Sequence, residues 1–175
     1  MSRHIPVIGT EDLFLAKAVF EDWEDIYHNV WSHSETAKYM LWNVTESEED
    51  AQDRMRRTIN FQKTHNTFLV YEKSTDRAIG FAGAERREDG MYEETGIALG
   101  PAYTHRGYGR QVLQALIDLC IETWGHGIFI YCHFEGNTAS QKLAESMGFG
   151  LYEKAEVMHM RDEVPVIQYR YRREI

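Results

Sequence analysis

The sequence predicts a mixed α/β fold, and three observations predict it. Short β-type runs alternate with stretches whose apolar residues recur every three or four positions. A long amphipathic helix, from about Gly107 to Trp124, stands between two β-type runs, a strand–helix–strand unit that favours parallel pairing across its crossover. The remaining β-type runs are divided by short turn-forming segments, which favour antiparallel neighbours. The expected order is β-α-α-β-β-β-α-β-α-β-β, giving a twisted, mostly antiparallel sheet with a parallel pair at its centre and helices flanking it.

Each element has a local reason. In "LFLAKAVF" Leu13 and Leu15 alternate with Phe14 and Ala16, as a strand requires. In "EDWEDIYHNVWSHSETAKYML" Trp23, Ile26, Tyr27, Val30 and Trp31 fall at helical spacing, with a break near Ser32 to Ser34. "TESEEDAQDRMRRTINFQK" opens with acidic residues and carries basic ones later, matching the helix dipole. "TFLVYEK", "AIGFAGAE" and "ETGIALG" read as three antiparallel strands around the turns "STDR" and "REDGMY". "GIFIYCHF", rich in β-branched and aromatic residues, reads as a buried central strand. "NTASQKLAESM" reads as a helix stopped by Gly148, and "YEKAEVMHM" with "VPVIQYRYRR" as a closing strand pair.

Composition narrows the function. The 175 residues, 43% hydrophobic, suffice for one domain spanning 1–175, with no repeat or low-complexity linker to divide it. The start, "MSRHIPVIGTEDLF", lacks the pattern of a secretory signal, and no apolar run is long enough for a membrane span, so a cytoplasmic protein with no membrane partner is expected. A formal net charge of −9 argues against nucleic acid or an acidic membrane as partner and favours a cationic acceptor. Cys120 and Cys132 lack CxxC spacing and read as buried or half-buried thiols. The eight histidines contain no HExxH and no His/Cys cluster, so no metal is expected. His105 and His133 read as surface or core residues, with His133 also placed to line a cleft.

The segment "PAYTHRGYGRQVLQALIDLC" concentrates the signal. Val112, Leu113, Leu116, Ile117, Cys120, Ile121 and Trp124 form one stripe, so the helix must begin just after Gly107 and Gly109. The first amides of a helix have no intrahelical acceptor and sit at the positive end of its dipole, which makes them an anion site. Glycine there lets an anion approach closely and permits dihedrals that other residues resist. His105, Arg106 and Arg110 add local positive charge to an acidic chain. A nucleotide P-loop would need the GK[ST] ending, and a dinucleotide turn a small residue where Val112 stands; neither matches. A tight strand-to-helix turn without a ligand remains the alternative.

From Glu94, Gly96, Pro101, Tyr103, Gly107 and Gly109, followed downstream by Asn137, Ser140, Gly148 and Phe149, the chain resembles the GNAT N-acetyltransferase superfamily, in particular its ribosomal-protein alanine acetyltransferase-like branch. The resemblance spans nearly the whole chain. It implies a splayed central parallel pair and acetyl-CoA as acyl donor, held by the loop Thr104, His105, Arg106, Gly107, Tyr108, Gly109 and Arg110. It further implies that the backbone of Ile97, Ala98 and Leu99 holds the pantetheine arm and that Asn137 bonds it. The acceptor implied is a protein N-terminal amine or a small-molecule amine, and a homodimer is common among relatives. Thr104 replaces the Gln or Arg usual at the start of the loop; its hydroxyl can bond phosphate or cap the helix, and Arg106 and Arg110 are placed to compensate.

An ammonium must lose a proton before it attacks a thioester; lysine-like amines have a pKa near 10.4 and α-amines about 7.7 to 8.0. The resemblance puts the base at Glu94, and alternation turns Glu93 to the other face. Many relatives protonate the departing thiolate with a tyrosine where this chain has Ala144; Ser140, which matches the serine of the resembling branch, is the candidate for contacting the sulfur, with Tyr152 a weaker one. Trp31, Tyr39 and Trp42 read either as core or as walls of an acceptor pocket. A catalytically weak acyl-CoA-binding module, acting as sensor or assembly partner, is the alternative function.

Overall fold

Alternation in one short strand divides the core in two. In a computed structural model, which describes residues 2–175, Leu13 and Leu15 point to one face of the sheet and Phe14 and Ala16 to the other, all buried. The strands are β1 (Ile8–Gly9), β2 (Leu13–Ala16), β3 (Thr67–Glu72), β4 (Arg77–Arg86), β5 (Tyr92–Leu99), β6 (Ile128–Phe134), β7 (Gly150–His159) and β8 (Val164–Glu174). The helices are α1 (Trp23–Ile26), α2 (Ser34–Ala37), α3 (Glu48–Gln62), α4 (Tyr108–Trp124) and α5 (Thr138–Ser146). The strands form a single sheet in the order β1-β2-β3-β4-β5-β6-β8-β7, antiparallel except where β5 meets β6. The expected mixed fold with its central parallel pair is what the chain adopts.

On one face Val112, Leu113, Leu116, Ile117 and Cys120 of α4 pack on Leu13, Val70, Ile79 and Ala82, with Ala144 of α5 in the same cluster. On the other, Ile26, Val30, Trp31, Ala51 and Met55 pack on Phe14, Leu69, Tyr71 and Ala98. Full burial of each large aliphatic side chain contributes roughly 1.5–3 kcal/mol. The helix α3 starts where its acidic run begins, with Ser47 Oγ accepting from the Asp50 amide at 3.1 Å.

Two features differ from the sequence reading. A two-residue strand, β1, precedes the expected first strand; it is too short to carry periodicity. The aromatic-rich stretch expected as two helices is broken into a 3-10 turn (Phe20–Asp22), α1, a π-helical turn (Tyr27–Trp31) and α2. The wide turn, closed by the Ser32 amide on Tyr27 O at 3.0 Å, buries Val30 and Trp31 together while Asn29 Nδ2 reaches Ala78 O at 2.8 Å.

Candidate active site

The parallel pair is brief. β5 and β6 face each other only at Tyr92–Phe129 and Glu93–Ile130, after which the ladder ends and the β6-facing edge of β5 has no strand beside it. Across the other edge, β4 pairs Gly83 with Gly96 and then Ala84 with Glu94, so Thr95 is an extra residue and β5 bulges there. Gly96 adopts φ +140°, and a Cβ on Gly83 would lie 2.5 Å from Thr95 Oγ1 and 2.6 Å from Thr67 Cγ2, so the bulge closes only over glycine. Beyond it Ile97 and Leu99 pack toward the α4 side and Ala98 toward the α1–α3 side, leaving main-chain groups along the open edge.

Glu93 and Glu94 flank the point where the strands part. Glu93 lies 3.4 Å from Arg87 Nη1 and accepts from Cys132 Sγ at 3.8 Å. Glu94 has no cation within 4 Å among the described residues; its Oε2 accepts the Gly96 amide at 2.6 Å. Burial raises the Glu94 pKa to about 7; the Gly96 bond opposes the rise and the Glu93 charge adds to it. A carboxyl of this kind exchanges its proton near neutral pH.

Tyr131 on β6, absent from the sequence-derived candidates, adjoins Glu94. Its phenol is buried and lies 2.9 Å from Ser140 Oγ on α5. Burial and the Glu94 charge push its pKa upward, against the Ser140 bond, so it stays a neutral hydroxyl. Asn137 caps α5, its side-chain oxygen accepting the Ser140 amide at 3.2 Å. Cap and hydroxyl pair together fix Ser140 beside β6. The signal for Tyr131 in the sequence is only its place in an apolar strand, where a phenol needs a partner.

The glycine loop has the expected form. After a 3-10 turn at Pro101–Tyr103, His105 takes φ 60° and Gly107 φ 78°, and α4 follows. The first bond closing onto the loop is Gln111 N to Gly107 O at 3.3 Å; among the described residues the amides of Thr104 to Arg110 find no protein acceptor. Gly107 occupies the cap position without a capping side chain, which corrects the capping role considered for Thr104: its hydroxyl donates to Pro101 O at 2.9 Å. Arg106 lies 3.6 Å from Glu72 and over the rings of Tyr103 and Tyr108, Tyr108 donates to the same Glu72 oxygen at 2.9 Å, and Arg110 donates to Ser146 O at 3.2 Å.

Other candidates fall elsewhere. His133 is a core residue and not a wall of the cleft: it is buried, stacked on Tyr169 and Tyr171, and bonded to the Tyr171 hydroxyl at 3.2 Å. Tyr152 sits on the edge strand β7, separated from β6 by β8. Tyr39 donates to Gly136 O at 2.9 Å. Trp31 and Trp42 line a cavity against the β5 bulge, on the face opposite α4.

A sheet that splays beside a half-buried carboxyl, with a glycine loop presenting unpaired amides at the head of the following helix, defines an acyl-CoA transferase architecture. The chain belongs to the GNAT acetyltransferase family: the model of the acetyltransferase (GNAT) domain matches residues 12–150. It is therefore an N-acetyltransferase that draws its acetyl group from acetyl-CoA. No curated protein matches it by sequence. Among solved structures it is similar to a GNAT-family acetyltransferase from Bacillus anthracis (22% identity, 95% of this chain and 97% of that one, TM-score 0.80). It is also similar to a ribosomal L7/L12 α-N-protein acetyltransferase in complex with coenzyme A (18%, 98% of each chain, 0.79) and to the microcin C7 self-immunity acetyltransferase in complex with acetyl-CoA and AMP (16%, 95% and 94%, 0.79).

Proposed function

We propose that the chain transfers acetyl directly from acetyl-CoA to a primary amine, a protein N-terminus or a small amine, with both substrates bound together. The observation carrying this reading is the Glu94 carboxyl, near pKa 7, at the point where β5 parts from β6. The unpaired amides from Arg106 to Arg110 suit the coenzyme's diphosphate, the open edge of Ile97 to Leu99 suits its amide-bearing arm, and Asn137 Nδ2 is available to that arm because only its oxygen serves as cap.

In the reaction the amine nitrogen bonds the thioester carbonyl carbon, the C–S bond breaks, and the amine's surplus proton passes to Glu94, directly or through a water, and on to solvent. Ser140, held by Tyr131, donates a hydrogen bond to the departing thiolate, which takes its proton from solvent. A Glu94→Gln variant should lose about 10²-fold or more in kcat while binding acetyl-CoA as before. The wild-type rate should rise with pH through about 7 as Glu94 deprotonates, and the variant should lack that limb. A thiol-release assay with acetyl-CoA and an amine panel checks both. An unaltered pH profile would remove Glu94 from the mechanism, and binding without amine-dependent release would make the chain a coenzyme-binding module.

A further inference from the structure

One half-buried cation of this acidic chain is held by aromatic rings without a counter-charge among the described residues. The Arg54 guanidinium on α3 is clasped between two indoles, its central carbon 4.3 Å from the Trp31 ring centroid and 4.5 Å from that of Trp42. Two rings thus lie within cation–π reach, and Nη1 donates to Thr45 Oγ1 at 3.0 Å. Among the described residues no carboxylate lies within 4 Å, whereas Arg3, Arg87 and Arg170 each take one. Burial and the nearby Arg57 charge lower its pKa to about 10, which leaves it protonated at neutral pH. A half-buried cation carrying only stacking and one hydroxyl is incompletely satisfied.

Arg54 lines a cavity of about 210 Å³ on the face of the sheet opposite α4, together with Trp42, Thr67, Phe81, Thr95 and Gly96. Two more polar groups of that lining, the Trp42 indole Nε1–H and the Thr67 hydroxyl, are buried without any hydrogen-bond partner. Arg54 is thus the charged donor on this small space, and the Trp42 and Thr67 donors lie beneath its wall without partners. Most other walls are aromatic or aliphatic, with Thr58 and Gln62 among them, and Thr95 and Gly96 belong to the bulge that follows Glu94. Glu46 and Asp50 line the neighbouring open groove, and Asp50 accepts from Ser47 Oγ at 2.8 Å.

We propose that this cavity binds the carboxylate of the acceptor, which makes the acceptor an amino-acid-like molecule: a primary amine and a carboxylate on an apolar or aromatic body. This rests on the acetyl-transfer reading and narrows its acceptor. A planar monoanion matches the in-plane N–H groups of the guanidinium, and the aromatic walls accept its apolar part. The preference runs against the net charge of −9, because a half-buried local cation outweighs a screened global field.

The test is calorimetric titration of the protein, with coenzyme A present, by L-leucine, L-phenylalanine and L-tryptophan, each against its carboxamide. At least one acid should bind about 10-fold or more tightly than its amide, the range expected for a charge-assisted bond. Arg54→Gln should abolish that margin and leave coenzyme affinity unchanged. Should Arg54→Gln fail to fold, Arg54→Lys keeps the charge and removes the planar fork, and should weaken the acid about 3-fold or more while sparing the amide. Acid and amide binding alike, no acid binding at all, a margin that survives Arg54→Gln, or preference for a phosphate ester of an amino alcohol would each overturn the proposal. Thiol release separates the two readings. Arg54-dependent binding without release keeps the site and defeats acetyl transfer, whereas release with amines and amides irrespective of Arg54 keeps transfer and defeats the carboxylate site.

Discussion

The loop before α4 and the cage around Arg54 both leave hydrogen-bond donors without acceptors, on opposite faces of one sheet. They reach that state by opposite means. The loop uses consecutive main-chain amides from Thr104 to Arg110, with Gly107 at φ 78° to turn the chain into the helix. The cage uses side chains from distant stretches, Trp31, Trp42, Thr45 and Arg54, brought together by a π-helical turn and by α3 packing on the sheet. A contiguous backbone site depends on conformation at one or two residues, while a side-chain site depends on the whole helical layer. The two should therefore fail differently when disturbed, and each failure can be measured.

The severest disturbance strikes both at once. Gly100 ends the run from β5 into the loop, and a Cβ there would lie 2.1 Å from Asn29 O, in the π-helical turn that also carries Trp31. That contact is backbone against backbone, so it cannot be relieved by a rotamer change. Gly100→Ala should cost about 1–3 kcal/mol or more and lower the melting temperature by roughly 3–10 °C. It should raise the KM for donor and acceptor together; a rise in only one would show that the regions are mechanically independent.

Gly107→Ala should act on the loop alone. Nothing lies within 4 Å of an added Cβ, so the cost is conformational, about 1–2 kcal/mol for a left-handed non-glycine residue. Weakening of acetyl-CoA by up to about 10-fold is expected, with acceptor affinity unchanged. Steady-state KM values for the two substrates decide it.

This contrast also explains what could be read from the residues in advance. The parallel β5–β6 pair, the α4 stripe and the glycine loop are local patterns, carried by neighbours in the chain or by one helix face. Glu94 came forward through the family resemblance rather than from any local pattern, and it stands where β5 parts from β6. Tyr131 did not come forward: in "GIFIYCHF" it looks like one more strand aromatic, and its value comes from Ser140 and Glu94, which other elements deliver. Arg54 looked like a basic residue complementing a helix dipole. Its two indoles lie 23 and 12 positions away, and the turn that carries Trp31 departs from the regular helix that spacing implies. His133 misled for the same reason, since strand position alone cannot say whether an imidazole meets a cleft or two tyrosines.

The gentlest test asks whether side chains add to the loop at all. Arg106 is half exposed, its guanidinium divided between Glu72 at 3.6 Å and two aromatic faces, and Arg110 is tied to a helix-end carbonyl. Each can contribute only a screened attraction to a diphosphate already met by amides, about 0.3–1 kcal/mol apiece. Replacing both by alanine should raise the acetyl-CoA dissociation constant about 3- to 10-fold at low ionic strength and much less at high salt, where surface charges are screened. Calorimetry across a salt series distinguishes the cases. A loss that persisted at high salt would mean that the arginines contact the coenzyme closely, and an unchanged constant throughout would leave the loop a purely main-chain device, the sharpest form of its contrast with the Arg54 cage.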